Sequence, residues 1–368
     1  MDQFLTINPM LATLEPTTQF ALVSLIKIAV LVGVVLTMVA YSVLAERKIS
    51  AFIQDRVGPN RTAVPWIAAI PVLGPFLVRV GIFQPIADGV KSLLKEDFTP
   101  GHVRKVYFWL APGIAMIPAL LTFAVIPFGS NLNGERMVIA DLNVGILYTF
   151  GIVSLGVYGI VLAGYAANSK YPFLGGIRSS AQMISYEIAM GMSVIPVFML
   201  VGDLNLSGVI EYQANHMWLI VKEPLSFIIF MIAAFAETNR LPFDLPESET
   251  ELVGGYHTEY SSMKFALFFL AEYANMIAAS AMMVTLFLGG WTLPFGGLDQ
   301  PAATLGIGVL HIVIFIAKIL VLMGIFIWIR WMWPRFRYDQ LMNLGWRRFI
   351  PLALANILIT AVVLWIFH

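Results

Sequence analysis

A chain of 368 residues that is 59% hydrophobic and 12% charged, with a mean hydropathy of +0.83, reads as a polytopic membrane protein and excludes a soluble globule. Basic and acidic residues balance at 22 each, so the net charge of +0 hides any sidedness, which lies in how the charges are distributed. With no cysteine the chain cannot form disulfides or hold an iron–sulfur cluster through thiolates, and its 5 histidines stand at no metal-ligand spacing.

Crossing a hydrocarbon core of about 30 Å takes about 20 apolar residues. Eight runs approach that length: 20–45, 103–128, 143–167, 181–202, 216–237, 263–289, 306–333 and 349–367. The first has no basic residue ahead of Lys27, so no secretory leader is expected. It ends in AERKISAFIQDRVGPNR, which places Glu46 and Arg47 at the membrane boundary and Arg56 just before a Gly58–Pro59–Asn60 turn. The next stretch, 65–83, contains Pro65, Pro71, Pro75 and Arg79. Proline breaks a helix interior, so the expectation is an amphipathic or re-entrant segment that does not cross. QPIADGVKSLLKED follows. On a helix it sets Asp88, Lys91 and Lys95 on one face, with Ile86, Val90, Leu93 and Leu94 on the other.

Charge sidedness supports this division. Loops 46–105, 168–180, 238–262 and 334–348 hold nearly all the loop lysines and arginines and fall on one side. The opposite loops, about 132–142, 203–215 and 290–305, hold Arg136, little other basic charge, and turn formers such as Asn131, Asn133, Gly134, Gly296 and Gly297. The basic side is therefore expected to be cytoplasmic, with both termini periplasmic in a bacterial inner membrane. The fold class expected is all-α integral membrane: about eight transmembrane helices plus a cytoplasmic-side amphipathic or re-entrant helix in the first loop. No fixed-period repeat or linker divides the chain, so 1–368 reads as a single polytopic membrane domain.

Chemistry is expected on the basic face. Fully apolar spans contain Lys27, Glu187, Glu272 and Lys318, and an ionisable group inside a membrane is matched, protonated or used. Between the fifth and sixth spans runs AETNRLPFDLPESETELVGGYHTEY, where Glu237, Asp244, Glu247, Glu249, Glu251 and Glu259 are opposed only by Arg240. These acids alternate with apolar residues, unlike a solvated linker. The basic, aromatic stretch IRWMWPRFRYDQLMNLGWRRFIP reads as an interfacial belt. No phosphate-cradling glycine loop, dinucleotide fingerprint, nucleophile elbow or nucleic-acid module is present, so no complete active site is expected in this chain alone.

AERK with QDRVGPNR, QPIADGVK, RSSAQMISYE, the long acidic stretch with FFLAEY, and PRFRYDQLMNLGW together resemble the quinone-site membrane subunit (the subunit 1 family) of respiratory complex I, NADH:quinone oxidoreductase. The resemblance covers nearly the whole chain. It implies quinone as substrate, no metal or cluster in this chain, and a translocase whose partners are peripheral iron–sulfur subunits on the cytoplasmic side and small and antiporter-like membrane subunits. It implies a quinone cavity lined by Glu46, Arg47, Arg56, Asp88, Lys91 and Phe269, with Arg240 and Asp244 in the adjoining loop. It further implies a proton path through Glu247, Glu249 and Glu251 to Glu237, Glu187 and Glu272. The third span departs from a pattern in which some members supply an acid there, offering Tyr148, Ser154 and Tyr158 instead. Two alternatives stand beside it: the homologous membrane subunit of an energy-converting hydrogenase, which shares the architecture, and a stand-alone ion transporter.

Overall fold

The computed structural model describes residues 16–132, 134–294 and 297–367, without the side chains of Pro16, Thr17, Gln19, Glu249 and Thr250. Asn133 and Gly296, expected in turns, lie outside the described residues. In chain order the helices are α1 (Pro16–Ile53), α2 (Pro65–Ala68), α3 (Leu73–Val80), α4 (Gln84–Leu94), α5 (Lys105–Leu121), α6 (Gly145–Ala166), α7 (Lys170–Val201), α8 (Leu206–Asn215), α9 (Leu219–Lys222), α10 (Pro224–Glu237), α11 (Glu249–Leu252), α12 (Ser262–Phe287), α13 (Leu305–Met332), α14 (Tyr338–Leu344) and α15 (Ile350–Phe367). A single hairpin, β1 (Asn131–Leu132) with β2 (Glu135–Arg136), is the only sheet among the described residues.

Among the described residues seven helices are long and apolar enough to cross a membrane: α1, α5, α6, α7, α12, α13, and α14 continued through a π turn into α15. The eighth expected crossing, 216–237, differs. Pro224 has no amide hydrogen and fixes the first turn of a new helix, so the run divides into α9 and the 14-residue α10. At 1.5 Å per residue α10 is about 21 Å long. The stretch 65–83 forms only α2 and α3, separated by a turn and each far too short to cross.

The core is built around α12, the most buried of the long helices, while α1 is the least. Small residues on α12 (Ala271, Ala274, Ala278, Ser280 and Ala281) are buried and let α1, α5, α10 and α13 approach it from several sides. The same device joins α5 to α6: a Cβ on Gly159 would lie 2.6 Å from the Ala115 amide nitrogen, so only glycine fits. At one end of the bundle Lys318, on α13, donates to the carbonyls of Leu288 (2.6 Å), Gly290 (2.9 Å) and Thr292 (2.6 Å). These follow the last turn of α12, so a cation sits at the negative end of the helix dipole. At the other end Ser262 donates to the carbonyls of Ser92 and Lys95, and Lys264 pairs with Asp97 at 3.0 Å. The start of α12 is thereby docked on the end of α4. The buried Glu223 accepts from Asn356 Nδ2 (2.9 Å) and Thr360 Oγ1 (2.8 Å), tying α15 to the start of α10.

Candidate charge-relay site beneath the acidic loop

The loop joining α10 to α12, residues 238–261, folds back onto the bundle instead of into solvent. Gln182, buried on α7, donates through Nε2 to the carbonyls of Ala236 (2.7 Å) and Phe243 (2.8 Å). A Cβ on Gly255 would meet the Pro246 carbonyl oxygen at 1.7 Å, so the loop closes on itself only through glycine there. Phe336 N–H donates to the Pro242 carbonyl at 3.1 Å, and Tyr186 donates its hydroxyl to the Leu341 carbonyl at 2.9 Å. The stretch after α13 is therefore locked onto the acidic loop.

This fold carries Arg240 into the protein, where it is 3% exposed. Its Nε lies 2.7 Å from Glu272 Oε1 on α12, and its Nη1 lies 3.3 Å from Glu46 Oε2 on α1. Glu46 also accepts from Tyr273 Oη at 2.6 Å and forms a short ion pair with Arg330 at the end of α13. The guanidinium of Arg240 lies over the Tyr273 ring, 4.2 Å from its centroid. Two carboxylates and two guanidiniums thus make a neutral, buried network that joins three crossing helices through one loop. Burial opposes the charge on Arg240, but Glu272, Tyr273 and Glu46 outweigh it and hold the guanidinium protonated above its ordinary range.

The loop acids are matched one at a time. Asp244 Oδ2 pairs with Arg335 at 3.0 Å, and Glu251 pairs with Arg178 of α7 at 2.7 Å. Glu247 Oε1 lies 3.7 Å from His257 Nδ1. The side chain of Glu249 lies outside the described residues. Burial pushes His257 down to about 4, so near neutral pH its contact with Glu247 is one between a neutral ring and a carboxylate. Burial also raises the Tyr256 and Tyr260 hydroxyls, which stay protonated.

A pH dependence follows. The unfolded chain takes up a proton at His257 below about 6.5, while the folded chain refuses it until about 4. Stability is therefore full above 6.5 and declines as pH falls through that window, by up to about 3 kcal/mol. Thermal inactivation measured from pH 7 to 4.5 is expected to steepen with acid in the native protein, and less so in His257→Gln. Equal slopes would contradict this.

Inside the bundle, Glu187 on α7 accepts a short hydrogen bond from Ser154 on α6. Glu237 lies within electrostatic reach of Glu187. It borders two small cavities, which share Met183, Glu237, Thr238 and Asn275, and Glu272 lines the second. Glu46, Arg240 and Glu272 are thus joined by ion pairs, Glu272 and Glu237 border one cavity, and Glu187 with Ser154 lies within electrostatic reach of Glu237. Ser154 meets Glu187 from the third expected span, where no acid is present.

The remaining expected cavity residues stand apart from this network. Arg47 pairs with Asp88 at 2.6 Å, and Gln84 donates to the same Asp88, but both members of the pair are substantially exposed. Arg56 and Lys91 are exposed. Phe269 is half-buried, its ring 4.7 Å from Phe265 and 6.1 Å from His257. Sequence reading missed Arg330, Arg335 and Tyr273. Arg335 belongs to the stretch read as an interfacial belt, yet it turns inward to Asp244, which corrects that reading locally. Tyr273 was visible beside Glu272 in FFLAEYANM.

Fold and site define a polytopic α-helical membrane protein with a charge network buried under an acidic loop. A protein-family model described as NADH dehydrogenase matches residues 26–361. The chain is 46% identical over 361 residues to the first form of the NADH-quinone oxidoreductase H subunit of Cytophaga hutchinsonii, covering 96% of this chain and 100% of that one. It is 49% identical over 346 residues to the first form of the same subunit from Geobacter metallireducens, covering 93% and 96%. It is 46% identical over 344 residues to the NADH-quinone oxidoreductase H subunit of Flavobacterium johnsoniae, covering 92% and 93%. The chain belongs to the H-subunit family of NADH-quinone oxidoreductase and is thus a membrane component of complex I.

Proposed function

We propose that this chain forms the membrane half of a quinone-reduction site on its basic face, and that its buried carboxyl groups start the path by which reduction drives proton translocation. Glu46, Arg47, Arg56, Asp88, Lys91 and Phe269, with Arg240 and Asp244, face the quinone. Glu247, Glu249, Glu251, Glu237, Glu187 and Glu272 carry the response. The observation that carries this reading is Arg240, a loop residue bonded inside the membrane domain to both Glu46 and Glu272.

Reduction of a quinone to a quinol takes up two electrons and two protons. The electrons come from iron–sulfur subunits on the same face, since this chain has no cysteine to hold a cluster. Charge appearing at the quinone acts on closely spaced, interacting carboxyl groups, which titrate as a set. A change at Glu46 or Glu272 is felt at Arg240 and moves the loop that Arg335, Arg178 and Gln182 hold in place. The event is local electrostatics acting on an element with two arrangements. Antiporter-like membrane subunits receive it.

A quinone carrying a photoreactive headgroup, illuminated in the whole complex, is expected to mark the α1 end near Glu46, α4 and the loop 238–261. Adducts confined to lipid-facing helices would overturn the reading. In the inner membrane the basic loops face the cytoplasm and both termini the periplasm, which requires α9 and α10 together to cross as an eighth span. With no native cysteine to interfere, an impermeant thiol reagent is expected to label Lys222→Cys from the periplasmic side and Lys170→Cys only from the cytoplasmic side. The reverse pattern would invert the topology.

A further inference from the structure

The outer half of α1 stands away from the bundle. Val39 is fully buried and Val35 nearly so, whereas Val30 is 61% exposed. At the end remote from the acidic loop α1 is held by Lys27, whose Nζ donates to Glu135 Oε2 (3.2 Å) and to the Arg136 carbonyl (2.9 Å) of the hairpin. Between these two attachments a groove of about 1120 Å³ runs from α1 to α13, over Phe128 and Leu132. Val30, Val34, Ile312 and Ile316 line its walls, and its lining is apolar except for Lys27 and Glu135 at one end.

We propose that this groove is a binding site for one zwitterionic, amine-bearing phospholipid of the leaflet opposite the acidic loop. Length is the first argument. From Lys27 to Met38 along α1 is about 16 Å at 1.5 Å per residue. Half of a hydrocarbon core of about 30 Å is about 15 Å, the depth one acyl chain occupies. Apolar space of this depth facing a bilayer fills with hydrocarbon, since water there would lack polar partners. Charge is the second argument. The charged residues of the lining are Lys27 and Glu135, one cation and one anion paired at 3.2 Å; Arg136, beside Glu135 on the hairpin, is 66% exposed and pairs with Asp141 at 2.7 Å. A lysine has three N–H donors, and two are used within the protein. The third, with Arg136, suits a phosphate, and the carboxylate of Glu135 suits an ammonium. A net-neutral mouth of mixed sign favours such a headgroup over an anionic one. The bound lipid fills the gap that leaves the outer half of α1 otherwise unsupported.

The test uses the whole purified complex in nanodiscs. A phosphatidylethanolamine with a diazirine midway along one acyl chain is added in trace to phosphatidylglycerol, illuminated, and the adducts mapped. Adducts are expected at Val30, Val34, Ile312 and Ile316, exceeding those on lipid-facing α15 by about fivefold, the factor set by a modest binding preference. Unlabelled phosphatidylethanolamine should compete them away, and Ile316→Trp, which fills the groove, should reduce them by a similar factor. Lys27→Gln should abolish the preference over a phosphatidylglycerol probe. Adducts spread evenly over exposed helices and immune to competition would show bulk lipid only and overturn the site. So would a groove labelled equally by both headgroups, or one left unlabelled because a neighbouring subunit covers it. Each of these failures leaves the quinone reading standing.

Discussion

Replacing Arg240 by methionine is expected to produce the largest loss of any single change in this chain. The guanidinium is buried and holds Glu46 on α1 and Glu272 on α12 at once. Methionine keeps much of the volume but leaves two buried carboxylates, with Glu46 left to Arg330 and the Tyr273 hydroxyl. Removing one member of a buried ion pair costs about 3–5 kcal/mol, a large part of the stability of an ordinary domain. The expected outcome is little assembled complex in membranes and quinone reductase activity near background. Arg240→Lys separates charge from geometry. One ammonium keeps the charge but cannot present the planar fork that reaches both carboxylates while lying over Tyr273. It is expected to restore assembly partly and coupled activity much less. Full activity in Arg240→Lys would show that charge alone suffices and that the bridging geometry is idle.

The second large effect is expected at Glu237. It borders the cavities beneath the loop, with Glu272 on one side and Glu187 within electrostatic reach. Glutamine has the same shape and can still hydrogen-bond, but it cannot exchange a proton. Glu237→Gln should therefore assemble normally, slow proton transfer at this position by about a hundredfold or more, and lower the protons translocated per quinone reduced. Glu187→Gln should act in the same direction. Its hydrogen bond from Ser154 can persist to the amide oxygen, so it is the cleaner test of charge. The ratio of protons to electrons is the informative readout, because a structural defect lowers both fluxes together. An unchanged ratio in both variants would remove these residues from the path.

Much of this was legible in the sequence, for identifiable reasons. Long apolar runs announce crossings because the bilayer demands a fixed length, and five of them needed only small shifts of boundary, while α1 and α7 extend well past the apolar runs that announce them. The break within the run 216–237 was hidden because its hydropathy is continuous across Lys222–Glu223–Pro224, while a helix obeys the proline. Glu187, Glu237 and Glu272 stood out because charge is rare among such neighbours. Their partners did not, since pairing depends on contacts far apart in the chain. Arg330 meets Glu46 from the end of another helix, and Arg335 was disguised by aromatic neighbours that suit a membrane surface. Arg47 and Asp88 are each expected from the resemblance in the quinone cavity, and nothing local foretells that they pair with each other and stand apart from the buried network.

The measurement that bears most directly on all of this is redox-triggered infrared difference spectroscopy on the whole complex, read in the carboxyl stretching region. Cycling the quinone pool is predicted to give difference bands from buried carboxyl groups that gain or lose protons, with part of the signal absent in Glu237→Gln and part in Glu187→Gln. A carboxyl region that stays flat through turnover, or is identical in the native protein and both variants, would contradict the account.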